Sequence, residues 1–307
     1  MADSTAMPES RYHVRSISLP TRSHPTATCI EEELSKLRAL ESLSTAQSGS
    51  QLKAESICVS LLGLAELHKC IENFLQMPQT QQALLHHQHK RWVEEMIDGS
   101  VTLLDIGGAA RDILIQMKEI IQDIQSALRR RKLEVLLNKV TAYISFKKRV
   151  KKDVSSCLKT LKRLEEKYVA CPLLDYDHDS AMVVRVLREV SSVAISIFWA
   201  LLSFLSIPVS KPKVGRWNLV SKLMQRGLVA CDNEVDVSMN EVESVDVALF
   251  ALSPCNASKD AAVESSQTAQ KRLKDLEVSL ESVEEGLDFL FRRLIQTRVS
   301  LLNILTH

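Results

Sequence analysis

Glycine and proline are scarce in this chain, 8 of each in 307 residues, and its aromatic side chains come to 3 Trp, 4 Tyr and 7 Phe. Turn-dense all-β folds need frequent turn residues, and collagen-like or low-complexity chains need far more Gly and Pro, so these classes are excluded and an α-rich protein remains. Neither sign of charge dominates, with 39 Lys+Arg facing 38 Asp+Glu. A near-neutral total removes the simple argument for nucleic acid or a membrane surface as partner. The common catalytic signatures are missing too: there is no Gly-x-x-x-x-Gly-Lys, Gly-x-Gly-x-x-Gly, Gly-x-Ser-x-Gly or His-Glu-x-x-His. The expectation is a non-enzymatic protein with no cofactor.

Cysteine supplies no framework either. Cys29, Cys58, Cys70, Cys157, Cys171, Cys231 and Cys255 are odd in number and contain no Cys-x-x-Cys, so reduced, mostly buried thiols of an intracellular protein are expected. His86-His87-Gln88-His89 places two imidazoles three residues apart, but with no Cys or acid at helical spacing a solvated face explains it better than a metal site. No run of seven apolar residues precedes Glu31, which argues against a secretory signal. Arg11, Arg15 and Arg22 among Ser and Thr leave a plastid address as the alternative to cytoplasmic residence.

What the chain does have is helical period. Residues 1–27 carry Pro8, Pro20 and Pro25 without period and read as a flexible Ser/Arg/Pro tail. Thr28 and Glu31 have capping-box spacing, and from there residues 28–307 read as a single helical domain. The first helix is predicted over about 29–46. A second carries Ile57, Leu61, Leu64, Leu67, Ile71 and Phe74, and a third covers 79–97 with a turn at Asp98-Gly99-Ser100. The fourth has the stripe Val101, Leu104, Ala109, Ile113, Met117, Ile120, Ile124 and Leu128, kinked at Gly107-Gly108. Leu133, Leu137, Val140, Ile144, Val154, Leu158, Leu161, Leu164 and Tyr168 carry a fifth to about residue 170. A sixth runs over 180–207, shorter ones near 217–229 and 241–252, and linkers fall at 208–216, 232–240 and 253–267.

The closing stretch has the clearest period. Leu273, Leu280, Leu287, Leu294 and Leu301 recur every seventh residue, with Leu276, Val283, Leu290, Thr297 and Ile304 between them. Such a seam demands a partner helix, from this chain or another. Seven other amphipathic helices also need cover, which favours packing within the chain and a monomer over a coiled-coil dimer.

Charge is segregated. From Arg129 to Lys167 there are 14 Lys+Arg and 4 Asp+Glu, including the patch Arg129, Arg130, Arg131, Lys132, Lys147, Lys148, Arg149, Lys151 and Lys152. Residues 228–288 reverse this, with 14 Asp+Glu and 4 Lys+Arg. The basic face is either solvated, packed near the acidic segment, or set against anionic lipid; nucleic acid is set aside because the helix has only Tyr143, Phe146 and Tyr168 to stack on bases. No residue from Val190 to Ser210 is charged, so this stretch is long enough for a bilayer span. Five Ser residues within 190–206 and the helical stripe favour a central bundle helix. In the tail, Arg15, Ser18 and Pro20 have the spacing that basic-directed kinases and phosphoserine readers use, although an unmodified tail is the plainer reading.

Several stretches together resemble the plant BYPASS-like family: Tyr12 to Pro20 with His24-Pro25, Leu64 to Leu85, Trp92 to Leu104, Met117 to Arg130, and Leu290 to Leu305. The resemblance implies a plant protein, an all-helical fold and a part in root and shoot development, and it brings no catalytic residue or cofactor. Taken together, the expectation is an all-α, elongated bundle of long amphipathic helices with a flexible N-terminal tail and a heptad-patterned C-terminal helix. It acts as an interaction or regulatory protein, with unnamed protein partners. The alternative is a membrane-associated protein, anchored by helix 180–207 or by the basic helix 129–167.

Overall fold

The computed structural model describes residues 25–46, 52–86, 91–170, 178–206, 239–252 and 259–306. Nearly all of these lie in eight helices: α1 (Pro25–Ala46), α2 (Ala54–Leu75), α3 (Pro78–His86), α4 (Arg91–Arg129), α5 (Leu133–Ala170), α6 (His178–Leu205), α7 (Glu241–Ala251) and α8 (Lys259–Thr306). No described residue is in a strand. With 48 residues, α8 is the longest, roughly 70 Å at 1.5 Å per residue. It packs against α2 and α4, with α7 laid on it; α1 covers α2, and α5 pairs with α4. The sixth helix reaches α2, α3, α4 and α5 and closes one interior.

Local chemistry accounts for the ends. Pro78, which lacks an N–H and suits a first helical turn, opens α3 after α2 stops at Leu75. Asn240 caps α7 by accepting from the Glu243 N–H at 2.8 Å, and Glu241 and Glu243 complement the positive end of that helix. Glu241 also accepts from the Ala54 N–H at 3.2 Å, so the first residue of α7 satisfies an orphan donor of α2. Between α4 and α5 the chain turns at Arg131 with φ 51°, a left-handed conformation that glycine adopts more easily.

The heptad seam is interior. Leu273, Leu276, Leu280, Val283, Leu287, Leu290, Leu294 and Leu301 are buried and Ile304 is half-buried, within one core that also takes the leucines of α2. Each such side chain contributes about 1.5–3 kcal/mol by leaving water. The second stripe is buried as predicted, from Ile57 to Phe74.

Several expectations need correction. Helix α1 begins at Pro25, inside the proposed tail. The turn at Asp98-Gly99-Ser100 is absent, because α4 runs unbroken through these residues and on to Arg129. Gly99 serves packing instead: a Cβ there would stand 1.8 Å from the Tyr168 hydroxyl. The fourth stripe is in another register at its start, with Leu103, Ile106 and Ala110 buried while Val101 is exposed. In the first half of α5 the buried set is Leu136, Tyr143, Phe146 and Val150, and Leu133, Leu137 and Ile144 face outward, while Val154, Leu161, Leu164 and Tyr168 further along are buried as predicted. Residues 259–267 belong to α8, so the linker placed at 253–267 extends no further than 258. The predicted helix at 217–229 and the linker at 208–216 lie outside the described residues, as do 232–238 of the next linker.

Candidate functional site

The basic patch runs from the α4–α5 corner onto α5. Arg129, Arg130, Arg131, Lys132, Lys148, Arg149, Lys151 and Lys152 are exposed. Arg149 lies over the Phe146 ring at 5.5 Å and donates to Gln116 of α4. Lys147 alone of the patch is turned away from solvent, and it packs against the acidic segment, one of the three arrangements expected of the basic face. Its side chain is buried in an ion pair with Asp246 of α7, and the Tyr143 hydroxyl donates to the same carboxylate at 2.8 Å. Burial pushes the Lys147 amine below its usual range, while Asp246 and Glu243 pull the other way. Burial likewise raises Asp246, against the opposing effect of Lys147 and Tyr143. Such a pair holds α7 at one position more than it stabilises the fold, because desolvation offsets most of the attraction.

The acidic residues of α8 meet α4, not α5. Lys118 pairs with Glu284, Arg111 with Asp288 at 3.0 Å, and Glu277 accepts from Gln122 at 3.0 Å and from Gln125 at 3.2 Å. These contacts fix the rotation of α8 on α4 along the seam.

A second polar group lies where α2, α4, α5, α6 and α8 converge. His68 is buried on the core face of α2, and its Nδ1 shares a hydrogen bond with Thr297 Oγ1 at 3.2 Å, while its Nε2 has no partner. Burial lowers the His68 pKa to about 4, so the ring is neutral at ordinary pH. Nearby Arg298 donates to the Ile97 carbonyl and to Ser100 Oγ, both at 2.6 Å. Tyr168 lies beside them, its pKa raised to about 12 mainly by burial. These residues surround a cavity of about 60 Å³.

The cysteine expectation is also corrected. Cys29 of α1 and Cys70 of α2 form a disulfide, their Cα atoms 6.1 Å apart, and Cys58 and Cys157 are half-buried free thiols whose pKa values burial raises. Pairing of α1 with α2 brings together two residues 41 apart, which no spacing rule marks as partners. Cys171, Cys231 and Cys255 lie outside the described residues.

Among the described residues no group of three His, Cys, Asp or Glu could hold a metal ion, and of the histidine run only His86 is described. Arg15, Ser18 and Pro20 lie outside the described residues. Within α6, Ser180–Leu205 is long and apolar enough to cross a membrane. Val183, Leu187, Val190, Ala194, Phe198, Leu201 and Leu205 of that helix are core residues here. The His68 cavity was not singled out from sequence, although two signals point to it: His68 falls between Leu64 and Ile71 on the α2 stripe, and Thr297 interrupts the leucines of α8.

Fold and surface together define an all-α bundle protein built on one long C-terminal helix. It belongs to the Protein BPS1 family, whose family model matches residues 60–304, from early α2 almost to the end of α8. That match agrees with the BYPASS-like resemblance of the sequence. Comparison with curated proteins and with solved structures returned no match.

Proposed function

We propose that this protein is a non-enzymatic interaction and regulatory protein with a part in root and shoot development, acting through the outward face of α5. One observation carries this reading: Leu133, Val135, Leu137 and Ile144 are exposed on a helix whose other face already fills the core, Leu133 by 54%. A helix buried on one side keeps polar residues on the other unless something else covers it. The tail bearing Arg15, Ser18 and Pro20 adds a second contact, a docking point for a phosphoserine reader once Ser18 is phosphorylated. The test is Leu137→Glu with Ile144→Glu in the full chain, introduced into plants lacking the family's genes. Unchanged cooperative unfolding with lost rescue of root and shoot growth is expected, and full rescue overturns the proposal.

The α4–α5 corner favours a second reading, attachment to an anionic membrane surface. Arg129, Arg130, Arg131 and Lys132 are exposed beside Leu133, and Arg131 holds the left-handed position that a glycine fills at lower cost. Cosedimentation with phosphatidylserine vesicles tests it. Binding that fades with salt and is lost in Arg129→Glu with Arg130→Glu supports attachment, and equal recovery on neutral vesicles refutes it.

A further inference from the structure

The cavity between α2, α4, α5, α6 and α8 has a lining of two kinds. Leu75, Leu103, Leu187, Val190 and Leu301 supply most of its wall, and six polar groups converge on it: His68, Ser100, Tyr168, Ser191, Thr297 and Arg298. Three features of these groups point to a ligand. The His68 Nε2 is buried without a hydrogen-bond partner, although buried polar atoms are almost always satisfied. Arg298 donates only to neutral oxygens, and among the described residues no carboxylate pairs with it. No Asp or Glu lines the cavity; Glu95 and Asp98 act on Tyr168 through space, and Glu95 is already paired with Arg91 at 2.8 Å. A half-buried cation and a neutral imidazole beside aliphatic walls select a small molecule with an anionic head and an apolar body.

Size narrows the class. One water needs roughly 10–15 Å³ of such space. At about 60 Å³, the cavity therefore takes a ligand of only a few heavy atoms. We propose that this cavity is a binding site for a short aliphatic monocarboxylate, its carboxylate received by the Arg298 guanidinium, its chain lying among Leu187, Val190 and Leu301, and His68 Nε2 completing the polar end. A neutral ring carries one N–H, and with the Thr297 hydroxyl donating to Nδ1 that proton sits on Nε2, where it donates to the carboxylate. Because each of the five helices contributes to the lining, an occupied cavity joins α6 to α2, α4, α5 and α8, and this site goes beyond the surface contacts described above.

The experiment is a calorimetric titration of the full chain with acetate, propanoate and butanoate, with propanamide and propylamine as uncharged and cationic counterparts. Saturable binding of at least one acid is expected, with a Kd between roughly 10 µM and 1 mM for a ligand this small. Propanamide should bind at least about tenfold more weakly, the loss of one charge-assisted contact. Ala194→Leu, which fills the cavity from α6, should abolish binding, and Arg298→Gln should reduce the preference for acid over amide to near unity. If either variant fails to fold, intermolecular NOEs from the propanoate methyl group to Leu187 and Leu301 on the wild-type protein locate the ligand. No saturation by any acid up to about 10 mM, equal affinity for acid and amide, unchanged binding in folded Ala194→Leu, or NOEs to residues elsewhere each overturns the proposal.

Discussion

Gly99 and Tyr168 set the spacing of α4 and α5: the tyrosine hydroxyl occupies the place that a side chain at 99 would take, 1.8 Å from an ideal Cβ. Helix α4 therefore carries a glycine that helix propensity disfavours, for the sake of a close approach.

Gly99→Ala is expected to lower stability by about 1–3 kcal/mol, because overpacking against the buried Tyr168 outweighs the gain in helix propensity. Gly108→Ala in the same helix meets nothing within 4 Å and should raise stability by about 0.5–1 kcal/mol. Urea unfolding of both variants checks the pair, and a stabilised Gly99→Ala contradicts the packing argument.

Lys147→Met should cost about 3–5 kcal/mol by leaving Asp246 charged and buried. Adding Asp246→Asn should recover much of this, since the amide is neutral and its oxygen still accepts from Tyr143. A double-mutant cycle measured by thermal unfolding gives the coupling.

Stability should fall as the pH drops from 6.5 toward 4. The unfolded chain binds a proton at His68 near its ordinary 6.5, the folded chain only near 4, so the unfolded state holds more protons throughout that window. The full effect is about 3 kcal/mol at the acid end. His68→Gln should flatten this part of the profile, and an unchanged slope in the variant argues against it.

Reduction of the Cys29–Cys70 bond reopens a separation of 41 residues and should cost roughly 4 kcal/mol on the chain-entropy account. Unfolding with and without a thiol reductant, compared with Cys29→Ser, measures the cost. The variant should be insensitive to reductant.

Where one helix face alone is apolar, the pattern was legible. The leucines of α8 and the stripe of α2 read correctly because each has one way to be buried. The first half of α5 has two, Leu133-Leu137-Ile144 and Leu136-Tyr143-Phe146-Val150, both at helical spacing, and only contacts with α4 and α7 decide between them. Asp98-Gly99-Ser100 carries turn chemistry, yet the requirement at Gly99 comes from α5, far along the chain. Lys147 looks like its neighbours in a basic run, and its partner Asp246 is 99 residues away. The cavity polar groups are divided the same way, with His68 and Thr297 separated by 229 positions.

The seam of α8 also bears on synthesis. Cys58 of α2 meets the Ser282 carbonyl across 224 residues of sequence. At about 5–20 residues per second, α2 emerges from the ribosome roughly 10–45 s before the helix that covers it has been made. For that interval the α2 residues Leu61, Leu64, Ile71 and Phe74 lack the α8 side of their core, so the order of the helices sets how long this apolar stripe waits for its cover.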